Sequence, residues 1–167
     1  MCNPDVSSCQ LTSACLPLTH LSQNDPTSMN THTITLVQHS WQKAATNTSV
    51  VAQLFYANLF AADPELKKLF KGDITEQGKR LTQMIGAAVN KLDNLETLVP
   101  ILENLAVRHV SYGVKNSHYE TVGGALLKTL TQGLGDSFTP EVHAAWSEVY
   151  AIMSSTMISA TEAAMPG

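Results

Sequence analysis

Cysteine is missing from the body of this chain: of 167 residues only Cys2, Cys9 and Cys15 carry a thiol, all near the start. A body without cysteine owes nothing to disulfides, which suits a reducing compartment, and the cytoplasm is the expected location. Lysine and arginine are absent before Lys43, and no positive start precedes an apolar centre, so a secretory signal is not expected. No apolar run reaches the length of a bilayer span, which removes a membrane role. Charge is scarce as well, at 14% of residues with a net charge of −4. Nucleic acid needs clustered phosphate-binding cations, and the ten basic residues are scattered, so it is not an expected partner. Strand-like alternation, internal repeats and low-complexity tracts are lacking too. With no carboxylate pair and no Ser/His/Asp arrangement, hydrolytic chemistry has no support, and no catalytic residue is assigned.

What remains is one domain with 44% hydrophobic residues, long enough to bury its own core. Residues 1–32, dominated by Ser, Thr, Asn, Pro and Asp, are expected to be a disordered tail ahead of a folded domain at 33–167. Caps divide that domain into helices. Thr35-Leu36-Val37-Gln38 reads as a capping box, and Thr48 or Ser49 opens a second helix. Asp63-Pro64-Glu65 and Thr139-Pro140-Glu141 each place proline just inside a cap, and Ser117 to Glu120 forms another capping box. A long helix is expected from about Thr75 to Lys91. Pro100 is expected to break the next stretch, so that a helix starts near Ile101 and ends at Gly113. Seven or eight unequal helices with short loops predict a packed all-α domain.

His109 is the unusual residue on those helices. Leu102, Leu105 and Ala106 lie seven, four and three residues before it, so an imidazole closes an apolar helical face. It either hydrogen-bonds within the core or ligates a metal. Gln77 stands on the preceding long helix with Leu81 one turn on, and Tyr56 joins from a stretch made of Phe55, Leu59 and Phe60. A phenol and an amide on apolar faces opposite an imidazole suggest a small polar ligand in an oily cavity. His20, His32, His39, His118 and His143 read as tail, surface or cap residues. Gly123-Gly124 reads as a close helix contact.

Over roughly Thr33 to Ala160 the chain resembles the globin family. The resemblance is densest at Leu54 to Phe60, Leu66 to Phe70, Arg108-His109 through Val114, and His118-Tyr119 to Leu127, and it continues through Leu134-Gly135, Trp146 and Tyr150. Bacterial single-domain haemoglobins and the haem domains of flavohaemoglobins are the most similar, with neuroglobin further off. The resemblance implies a globin fold around one haem b (iron protoporphyrin IX), with His109 as the iron ligand and metal site. It implies Phe70 packed on the porphyrin, Tyr119 supporting His109, and Tyr56, Gln77 and Leu81 lining the gas side. Bacterial relatives add a glutamate late in the last helix; Thr161 stands at that position, with Glu162 next to it. That departure argues against strong imidazolate character. Neuroglobin-like relatives carry a histidine where Gln77 stands, so two-histidine coordination is not expected. The implied function is reversible dioxygen binding at pentacoordinate iron, with high affinity from donation by Tyr56 and Gln77. Nitric oxide and carbon monoxide are further ligands. Nitric-oxide dioxygenation with a separate reductase, or gas sensing, is the alternative, and a monomer or weak homodimer is expected.

Overall fold

Asn30 opens the first helix, its side-chain oxygen accepting the His32 amide hydrogen at 2.9 Å. In the computed structural model, which describes residues 29–164, helix α1 (Thr31–Ala44) therefore begins ahead of the expected Thr35. Thr35 instead sits inside the helix, its hydroxyl donating to the Thr31 carbonyl at 2.9 Å. His32, expected in the tail, belongs to α1 and meets Glu141 at 2.8 Å on the surface. Residues 1–28 of the expected tail lie outside the described residues.

Asn47 caps α2 (Thr48–Ala62), and Asp63 accepts the Glu65 amide hydrogen at 3.0 Å to start the 3-10 segment Pro64–Leu69. Asp73 does the same for Thr75, at 2.8 Å, at the head of α3 (Ile74–Val89). The next helix corrects the sequence expectation. Helix α4 (Leu95–Ser111) runs straight through Pro100, capped by Asn94, whose side chain accepts from Thr97 at 3.2 Å. An interior proline costs about 3 kcal/mol. Leu98 and Leu102, buried on either side of it, each contribute about 1.5–3 kcal/mol, enough to hold the helix together. His118 Nδ1 accepts from the Lys115 amide at 3.1 Å at the start of α5 (Asn116–Leu134), and the Thr139 hydroxyl accepts from Val142 at 3.3 Å at the start of α6 (Pro140–Ala164). The expected all-α class is what forms, with no strand among the described residues.

Helix α2 sits at the centre, against α5 and α3; α1 lies on α6, and α4 packs on α6. Asn58 ties α2 to α5 by donating to Thr129 at 3.1 Å and Gln132 at 2.8 Å. The Trp146 indole donates to the Ser40 hydroxyl at 2.9 Å, joining α6 to α1 beside Trp41. Gly78 permits the close crossing of α3 over α2: a Cβ there would lie 2.7 Å from that of Ala52. Helix α3 takes its main contacts from α2 and α1, and α4 takes its main contacts from α6, so the two are not one another's principal partners.

Candidate functional site

Helix α4 buries Leu98, Leu102 and Ala106 against the core and leaves His109 half-buried in its last turn. His109 Nδ1 donates to the Leu105 carbonyl at 2.8 Å. A carbonyl only accepts, so Nδ1 carries the hydrogen and Nε2 keeps its lone pair. Burial pushes the imidazole pKa below its usual value, partly opposed by the Leu105 bond, so the ring is neutral near pH 7. Gly113, at φ +79°, closes the helix, and the Val114 amide turns back to the His109 carbonyl at 3.0 Å. The Tyr119 ring stacks on the imidazole at 6.4 Å between centroids. Burial raises the Tyr119 pKa, and the nearby Thr161 hydroxyl, which donates to the Met157 carbonyl at 3.0 Å, partly offsets it. Glu162, next to Thr161, lies on the surface, where its carboxylate accepts from Asn116 at 3.4 Å.

On the α3 side, Tyr56 is buried in an aromatic group. Its ring meets Phe70 edge-on at 5.3 Å, Phe55 at 5.3 Å and Phe60 at 5.6 Å. Its hydroxyl has no hydrogen-bond partner among the described residues, and burial pushes its pKa up to about 12. The space beside its ring is kept by Gly78, where a Cβ would lie 3.8 Å from Tyr56 Cε2. Gln77, one residue earlier, is half-buried, and its Nε2 donates to the Lys71 carbonyl at 3.1 Å. Leu81 and Ile85 are half-buried and Met84 is 42% exposed, although all three continue the Gln77 face.

The structure thus joins Tyr56 to Phe70 on the α3 side and His109 to Tyr119 on the α4 side. Leu81 and Ile85 on α3 and Leu105 on α4 are apolar yet incompletely covered. His109 offers a neutral imidazole nitrogen and Tyr56 an unpartnered phenol, a donor set that fits a flat apolar macrocycle with a central metal. A separate groove of about 790 Å³ opens between α5 and α6; Tyr119 borders it, and His109, Tyr56 and Gln77 do not. The sequence reading missed three contributors. They are the Lys71 carbonyl, Gly78 next to Gln77, and Tyr150, whose hydroxyl donates to the Tyr119 carbonyl at 2.6 Å. A glycine directly after Gln77 was the one visible signal.

Comparison with known proteins identifies the fold. The globin family profile matches residues 53–157. This chain is a member of the globin family. A flavohemoprotein of Rhodopirellula baltica is 34% identical over 144 residues, covering 81% of this chain and 35% of that protein. One from Vibrio cholerae is 33% identical over 111 residues, covering 65% of this chain and 28% of the relative. The chain therefore spans about a third of the length of these relatives. Among solved structures, a bacterial globin from Campylobacter jejuni superposes with a TM-score of 0.70 at 26% identity, covering 80% of this chain and 96% of that one. A hexacoordinated heme protein from an anhydrobiotic tardigrade shares the fold, with a TM-score of 0.73 at 18% identity. The cofactor of this globin is haem.

Proposed function

We propose that haem b lies between α3 and α4, with His109 Nε2 as its protein ligand, and that this globin binds dioxygen reversibly. Haem supplies the metal position at which a diatomic gas is held. The chain supplies the surroundings. Leu105 orients the imidazole and keeps Nε2 free. Phe70, Leu81 and Leu105 offer apolar contact to the macrocycle, and Tyr119 steadies the imidazole ring.

The observation that carries the gas reading is the Tyr56 hydroxyl, set among aromatic rings with no protein partner among the described residues. A phenol held neutral in such a place donates to a ligand that carries partial negative charge, as dioxygen does and carbon monoxide scarcely does. One such bond contributes about 1–1.5 kcal/mol, roughly a factor of ten in the dissociation rate. Tyr56→Phe is therefore expected to speed dioxygen release about tenfold in stopped-flow mixing. An unchanged rate removes the distal assignment. The purified protein is expected to show a Soret band that His109→Ala abolishes; a colourless, folded wild type ends the haem reading.

The flavohemoprotein relatives favour a second reading, nitric-oxide dioxygenation, for which a donor that retains dioxygen is suited. It requires an electron source to restore ferrous haem. Sustained nitrate production on addition of a flavin reductase and nicotinamide would support it, and a single turnover would not.

A further inference from the structure

Gln77 does not leave its amide free. Its Nε2 donates to the Lys71 carbonyl at 3.1 Å, across the short loop between Phe70 and α3. Gly72 places that carbonyl: its φ of +120° is a backbone shape that a residue with a Cβ rarely adopts. A Cβ on Gly72 would lie 3.8 Å from Gln77 Nε2, so loop and amide are in contact. Tyr56, packed against Phe70 at the other end of this loop, keeps its hydroxyl without a partner among the described residues.

We propose, building on the reading of Tyr56 and Gln77 as gas-side donors, that the Lys71-Gly72 turn is a latch that holds Gln77 back from the gas. Tyr56 is then the standing donor, and Gln77 joins it only by giving up the Lys71 carbonyl. That swing exchanges one hydrogen bond for another, so the two positions lie close in free energy and the turn sets the balance between them. Gly72 is thus a positioning residue for gas retention, although it never touches the gas.

Infrared spectroscopy of the ferrous carbon monoxide complex reads this directly, because a hydrogen-bond donor at the gas oxygen lowers the C–O stretching frequency. The wild type is expected to give a main band set by Tyr56 and a minor band at lower frequency set by Tyr56 with Gln77. Gln77→Leu removes the minor band and speeds dioxygen release by no more than about twofold, since the second position is little populated. Gly72→Ala strains the turn, enlarges the minor band and slows dioxygen release by up to about tenfold, the worth of one added hydrogen bond. Gly72→Ala with Gln77→Leu loses that slowing. A main band that vanishes in Gln77→Leu overturns the latch, as does a Gly72→Ala effect that persists without Gln77. If Gly72→Ala does not fold, the comparison of wild type with Gln77→Leu decides alone. Tyr56→Phe separates the two claims: bands and rates indifferent to it defeat the distal-pocket reading itself.

Discussion

The Tyr56 phenol sits against Phe55, Phe60 and Phe70, and its pKa is pushed from 10.0 up to about 12 by burial. The fold favours the neutral phenol, so the stability this group brings is full below pH 10.0 and is lost as pH climbs towards about 12. Dioxygen release is accordingly expected to stay level from about pH 7 to pH 10 and to speed only above that, as the donor is lost. A break near the ordinary phenol pKa in stopped-flow traces would show that Tyr56 is not buried as described. At this scale His109 and Tyr56 stand out in the sequence, because an imidazole or phenol among apolar neighbours is conspicuous by residue type, whereas Phe70 is singled out only by the family resemblance. The acceptor for Gln77 was not, because every residue has a backbone carbonyl and only its direction makes Lys71 special.

Helix contacts turn on glycines that look alike in the sequence. Gly124 has nothing within 4 Å of an added Cβ, whereas Gly78 would drive one to within 2.7 Å of Ala52. Gly124→Ala is therefore expected to raise stability by roughly 0.5–1 kcal/mol through reduced backbone freedom in the unfolded chain. Gly78→Ala is expected to lower it by about 1–3 kcal/mol, since α2 and α3 must separate. Thermal melts of the two variants should shift in opposite directions, and equal shifts would contradict the close crossing. Gly123 belongs with Gly78, since a Cβ there would lie 2.5 Å from Tyr150 Cε1. The expected Gly123-Gly124 contact therefore holds at its first member alone. Pro100 was misread at this same scale. Local propensity argued for a break, but Leu98 and Leu102, buried on both sides, kept α4 whole.

Across the whole molecule, α1, α2, α5 and α6 pack on one another, whereas α4 has α6 as its main support and α3 has α2. Haem between α3 and α4, as proposed, would give them a shared packing partner. Removing it is expected to speed amide hydrogen exchange most in α4 and next in α3, with α5 and α6 largely unaffected. It should also lower the melting temperature, because a ligand bound to the native state alone stabilises it. Uniform loosening of all six helices would show that haem does not bind between α3 and α4.

The sequence by itself determined the all-α class, the caps at Asp63 and Thr139 and the residue types that bear the chemistry. Those depend on local spacing, which a chain carries along its length. Only the tertiary structure decided that α3 packs mainly on α2 and α4 mainly on α6, and that Glu162 turns outward to Asn116. It alone revealed that Gln77 is held by its own loop. Each of these is a contact between groups whose directions are set by packing, and packing is a property of the assembled core.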